Sequence, residues 1–170
     1  MLIKFAMVRQ ELLKQEKGMY PSYLMLRFRD DADGTGRLSA RAQADGFAGE
    51  AGAYFGVAEL EAFAAAIAAY PLPKDNYPSV TGGFLDGRGG LLQEHLSLFV
   101  FPIDAQGHLC VRVRMATEVW EQARPEPHHS AQVEVLTTYE PLAQFSRALV
   151  ALVRGTVDEA ILEGENECRK

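Results

Sequence analysis

Residues His95 to Trp120 constrain this chain most, because they read as one long β-hairpin. Leu96, Leu98 and Val100 alternate along the first arm, and Leu109, Val111, Val113 and Met115 along the second; a period of two is the mark of extended strands. Asp104-Ala105-Gln106-Gly107 has the composition of the turn between them. With those residues as the loop, Val100 faces Val111 and Leu98 faces Val113, so both aliphatic rows share one side. The other side carries Phe99, Phe101, Cys110, Arg112 and Arg114, which is not the makeup of a plain solvent face.

The rest of the chain supplies strands and helices of matching character. Phe5, Val8, Leu12 and Leu13 recur at helical spacing before Gly18. Tyr23 to Arg29 forms a strand with Leu24, Leu26 and Phe28 on one face and Tyr23, Met25, Arg27 and Arg29 on the other. The Asp- and Gly-rich stretch 30–36 turns the chain into a second strand, where Leu38, Ala40, Ala42 and Ala44 alternate with Arg37, Ser39, Arg41 and Gln43. Asp45-Gly46 turns it again into a small-residue strand, Phe47 to Phe55. A helix is expected over 57–70, with Leu60, Phe63, Ala64 and Ile67 on one side, Glu59 in its first turn, and Pro71 and Pro73 after it.

Residues 71–94 contain three prolines and five glycines, the composition of a long connection with room for a short strand near Ser79 to Leu85. After the hairpin comes a polar loop, Glu121 to His129. Ala131, Val133, Val135 and Thr137 then alternate through a last strand. Pro141 opens a second helix with the stripe Leu142, Phe145, Leu149, Leu152 and Val153, and Gly155 closes it. The remainder to Lys170 is acidic and is expected to fray. Leu60 to Ile67 aligns with Leu142 to Leu149, and each stretch follows three strand-like segments. That suggests a duplicated βββα unit (22–70 and 95–154), although any two amphipathic helices share Leu, Phe and Ala at this spacing. The expected fold is α+β: one domain with a largely antiparallel sheet of about six strands and both helices on its aliphatic face.

Composition narrows the function classes. A chain of 170 residues can bury a sizeable core. Its net charge of -6 argues against nonspecific nucleic-acid binding. Only Cys110 and Cys168 occur, so a disulfide framework is not implied and a reducing cytoplasm is the expected setting. The apolar start is too short for a signal-peptide core, and no run approaches the ~18 to 20 apolar residues of a membrane span.

The short motifs fall short of catalysis. Asp31-Ala32-Asp33-Gly34-Thr35 resembles the first motif of the haloacid dehalogenase phosphatases, but a strand follows it rather than a helix, and that family's later acidic pair is missing; an acidic turn explains it better. The same cluster lacks the Glu at the twelfth loop position of a calcium-binding EF-hand. Gly82-Gly83 and Gly87-Arg88-Gly89-Gly90 lack a P-loop's Lys-Ser/Thr ending and read as a flexible connector. His95, His108, His128 and His129 have no metal-ligand spacing and are expected in solvent-exposed loops. Cys110 is expected to be a structural thiol. No cofactor is implied.

The remaining signal is distributed. The strand parities gather Tyr23, Met25, Arg27, Arg29, Arg41, Phe99, Phe101, Arg112 and Arg114 on one helix-free face, rich in the residue types enriched at protein interfaces. Two other readings stay open. The arginines pair with Glu118 or Glu134 while the aromatics sit under the N-terminal helix, or the arginines hold a small anionic ligand. Between Tyr23 and Arg154 the order of elements resembles small cytoplasmic bacterial proteins of the WapI-type immunity class. That resemblance implies a non-enzymatic protein that neutralises a toxin domain by binding it, and an acidic chain would steer toward a basic partner. The expectation is thus a cytoplasmic protein-binding protein, or a self-associating one, with neither nucleic acid nor membrane as partner; the alternative is an anionic-ligand sensor or enzyme using the arginines and the glycine-rich loop.

Overall fold

The computed structural model describes residues 21–73, 75–120 and 126–165. The helix expected over Phe5 to Glu16 and the thiol of Cys168 lie outside them. Within the described residues the chain runs β1 (Tyr23–Asp30), β2 (Thr35–Ala44), β3 (Phe47–Gly56), α1 (Val57–Ile67), β4 (Ser79–Leu85), β5 (Leu91–Pro102), β6 (His108–Ala116), β7 (Ser130–Thr138), α2 (Tyr139–Val153) and β8 (Ala160–Glu163). The α+β class and the antiparallel pairing hold. The single sheet does not: the strands form two four-stranded antiparallel sheets, β3-β2-β1-β8 and β4-β5-β6-β7.

Local sequence explains the hairpins. In β5–β6, Val100 lies opposite Val111 and Leu98 opposite Val113, the register expected for a loop at 104–107. Asp104 Oδ1 accepts hydrogen bonds from the N–H groups of Gln106 (2.8 Å) and His108 (3.2 Å), which fixes that loop. Asp45 and Gly46 take φ values of 50 and 83°, the left-handed pair that a two-residue hairpin between twisted strands requires. Residues 82–90 are no flexible connector. Asp86 Oδ1 accepts from the N–H groups of Arg88 and Gly90 and closes a β4–β5 hairpin whose register shifts at Gly82/Gly83.

Both helices start and stop where local chemistry permits, with small departures. α1 ends at Ile67, three residues before the expected stop. α2 begins at Tyr139, so Pro141 occupies its first turn, where a missing N–H forfeits no intrahelical bond. Gly155 (φ 70°) then closes α2, its N–H bonding to Leu152 O and that of Thr156 to Ala151 O.

Sheets and helices share one apolar core. Leu24, Leu26, Leu38, Ala40, Ala42, Ala53 and Phe55 of the first sheet cluster with Val80, Leu96, Leu98, Val100, Leu109, Val111, Val113, Met115, Val133 and Val135 of the second. β2 and β3 pack directly on strands of the second sheet, while each helix touches strands of both sheets. Aliphatic rows expected under helices therefore meet each other as well. The reason is side-chain size. A Cβ on Gly82 would lie 2.6 Å from Phe55 Cζ and 2.9 Å from Ala53 Cβ, and one on Gly49 would lie 3.0 Å from both Ala131 Cβ and Met115 Cε. Small residues let the sheets approach until little room remains between them.

The helices fill the wider space beside that contact and hold each other there. Ser146 Oγ donates to Ala64 O (2.6 Å), and Arg154 Nε pairs with Glu61 Oε1 (2.9 Å). The expected fraying after Gly155 fails in part: Ala160 and Leu162 are buried, β8 pairs with β1, and Glu165 N–H reaches Leu136 O. Each half is a three-strand meander followed by a helix, β1–β2–β3–α1 and β5–β6–β7–α2, and the strand after each helix joins the other half's sheet, β4 beside β5 and β8 beside β1.

If sheet contact depends on the absence of side chains, Gly82→Ala should destabilise by about 1–3 kcal/mol, read from chemical denaturation. Gly87→Ala, whose added Cβ meets nothing within 4 Å, should change stability by less than about 0.5 kcal/mol.

Candidate functional site

Side-chain parity along the strands is as expected, but the face it was expected to build is divided. Tyr23, Met25, Arg27, Arg29 and Arg41 stand on the outer side of the first sheet, and Phe99, Phe101, Arg112 and Arg114 on the outer side of the second. Because the sheets pack inner face to inner face, the two groups lie on opposite sides of the molecule. They form two surfaces rather than one site.

On the first sheet, cross-strand register sets Ile161, Met25, Arg41 and Glu50 in one row, Arg27, Ser39 and Gly52 in the next, and Arg29, Arg37 and Tyr54 in the one beyond. Arg27 is taken by Glu159, its Nε at 2.8 Å from Oε1. Arg29 is held loosely, its Nε 3.9 Å from Asp31 Oδ1 and its Nη2 3.5 Å from the Tyr54 hydroxyl. Arg37 reaches Glu118 Oε1 at 2.6 Å and so ties the first sheet to the segment after β6. Arg41 makes no hydrogen bond or ion pair with any described residue. Tyr23, Met25, Arg27, Arg41 and Ile161 line a broad depression of about 640 Å³.

On the second sheet the aromatics interlock. Tyr77 meets Phe99 edge-on at 5.9 Å between centroids, Phe99 lies 5.5 Å from Phe101, and Arg112 Cζ sits 4.8 Å from the Phe101 centroid. Arg112 Nε pairs with Glu134 Oε1 at 2.8 Å, the cross-strand pairing that the sequence left open. Arg114 Nε donates to the neutral Gln132 Oε1 (3.1 Å). Beside these lies a basin of about 280 Å³ lined by Ser79, Thr81, Glu94, Ser97, Phe99, Arg112 and Arg114, in which Ser97 Oγ donates to Glu94 Oε1 at 2.8 Å. Cys110, opposite Phe101 and Leu136, is buried, and burial pushes its thiol up to about 12, with Glu134 adding to the shift. A thiol held protonated in this way is a poor nucleophile.

The histidines depart from expectation at one position. His128 and His129 are exposed, and so is His108, which pairs with Asp104 Oδ2 at 2.6 Å; that hydrogen bond holds His108 above its ordinary 6.5. His95 is instead only 2 % exposed. It sits where the β4–β5 register shifts, with Nε2 3.1 Å from Gln93 Oε1 and its ring edge-on to Phe84 at 4.4 Å. Burial lowers its pKa; Glu118 opposes that and Arg37 adds to it. The acidic turn is a turn: Asp33 Oδ1 accepts from the Thr35 hydroxyl and N–H, which lowers the Asp33 pKa. Among the described residues no cluster of three His, Cys, Asp or Glu is placed to hold a metal, and no helix is long and apolar enough to cross a membrane.

Sequence reasoning missed two features. Glu94, Ser79 and Thr81 reach the basin only through β4–β5 pairing; Ser97, by contrast, has the parity of Phe99 and was legible. Leu85, Leu92 and Trp120 are 64, 67 and 76 % exposed, and Trp120 packs against Phe84 at 4.4 Å, an apolar patch signalled only by Leu91-Leu92 after a glycine pair. Comparison of the chain with family models, curated proteins and solved structures gave no match.

Two titrations follow. On unfolding His95 returns to about 6.5, so the unfolded chain takes up its proton first; the stability owed to neutral His95 is full above pH 6.5 and falls as pH drops below it. The drop in denaturation midpoint across this window should shrink in His95→Gln, and imidazole shifts in NMR should place His95 below 6.5 and His108 above it. In a Cys168→Ser background, Cys110 should resist thiol reagents under native conditions and react on unfolding; fast native labelling would contradict the buried, protonated thiol.

Proposed function

We propose a non-enzymatic protein-binding function exerted through the outer face of the first sheet. Arg41 carries this reading: it stands mid-row between Met25 and Glu50 on a face no described element covers, and although Glu50 lies opposite in register and Glu163 lines the same depression, no described residue forms a hydrogen bond or ion pair with it. Around it Tyr54 and Ile161 are 51 and 49 % exposed and the Arg29 side chain 72 %. Exposed aromatic and aliphatic groups beside forked donors are the composition of interface hot spots. A depression this wide and shallow suits a flat protein surface better than an enclosed small ligand. The partner presents carboxylates where Arg29 and Arg41 meet it, whatever the sign of its net charge. The resemblance of element order to WapI-type immunity proteins points to the same class of function.

Site-specific photo-crosslinking in extract of the native host tests this. A photoreactive residue at Met25 should capture one discrete protein of another sequence, and the same residue at Gln132, on the opposite side, should not. Arg41→Glu should lower the yield roughly tenfold or more, and added salt should lower it further. Capture that is equal from both positions, or confined to the chain itself or a second copy, would overturn the proposal.

A further inference from the structure

We propose that the basin on the outer face of the second sheet is a binding site for a free α-amino acid, a small zwitterion with ammonium and carboxylate on one carbon. Register builds the site: Thr81, Ser97 and Arg114 form one cross-strand row, and Ser79, Phe99 and Arg112 the next. Glu94 and Arg114 both line the basin, yet no ion pair joins them. Each is held by a neutral group instead, Glu94 by the Ser97 hydroxyl at 2.8 Å and Arg114 by the Gln132 amide oxygen at 3.1 Å. One carboxylate oxygen and the outer guanidinium nitrogens are thereby left without a partner among the described residues.

Arg112 adds no free charge, since Glu134 compensates it at 2.8 Å. What the basin offers is one positive and one negative group, kept apart. A simple anion gains from Arg114 and loses to Glu94, and a simple cation the reverse; a molecule carrying both charges satisfies both. The hydroxyls of Ser79 and Thr81 can donate to a carboxylate or accept from an ammonium. Phe99 supplies an apolar wall for a side chain. At about 280 Å³ the basin lies at the small end of ligand pockets, which excludes large cofactors. This inference is independent of the protein-binding proposal, which concerns the opposite face.

The test is a titration of the whole chain, labelled for amide NMR, with the common α-amino acids, their N-acetyl derivatives (carboxylate only) and their methyl amides (ammonium only). At least one free amino acid at millimolar concentration should shift the amides of Thr81, Ser97, Phe99 and Arg114. Both blocked forms should bind it roughly tenfold or more weakly, and Glu94→Gln and Arg114→Gln should each cost roughly tenfold. Both side chains lie on the outer face, and the spectrum itself reports whether each variant is folded. Equal binding of the N-acetyl form would make this a simple anion site and overturn the inference; so would unperturbed amides with every free amino acid, or shifts that survive both substitutions.

Discussion

The close contact of the two sheets is the constraint from which the rest of the architecture follows. It exists because Ala40, Ala42, Gly49, Ala53 and Gly82 place almost nothing between the backbones, so that Phe55 fills the space a Gly82 side chain would need. Contact that tight admits no helix at the same place. Helices α1 and α2 lie beside that contact, each touching strands of both sheets and braced by Ser146 on Ala64 and Arg154 on Glu61.

That same contact decides where the chemistry lies. Turning both aliphatic faces inward sends the two polar and aromatic rows in opposite directions, and the one outer face expected becomes two. The two differ in how charge is used. Arg27, Arg37 and Arg112 are committed to Glu159, Glu118 and Glu134, pairs that at their exposure contribute no more than about 1 kcal/mol each and chiefly orient the side chains. Arg41 and Arg114 have no acidic partner among the described residues, and each lies in a depression. These guanidinium groups, one on a broad face and one in a small basin, differ in this from the paired arginines around them.

His95 shows how topology overrides a local reading. Beside a glycine-rich stretch it has the sequence setting of a loop histidine, but β4 pairs with β5 there, the register shifts, and the ring is enclosed by Phe84, Gln93 and the segment carrying Glu118. β8 is the companion case. Ala160 and Leu162 alternate with Ile161 and Glu163 over only four residues within an acidic run, too little pattern to read until β1 provides a partner.

By itself the sequence determined most of the strands, both described helices, and which side of each of those strands points inward. Alternation and turn chemistry are local properties, and they set even the pairing of Val100 with Val111 and the helix stop at Gly155. Only the tertiary structure decided how many sheets those strands make and what each inward face meets. Period-two alternation records that a face is covered but not by what; a helix and a second sheet hide a row of leucines equally well. Whether Phe99 and Arg41 shared a surface therefore rested on packing between residues distant in the chain, and the small side chains of β2, β3 and β4 settled it by bringing sheet against sheet.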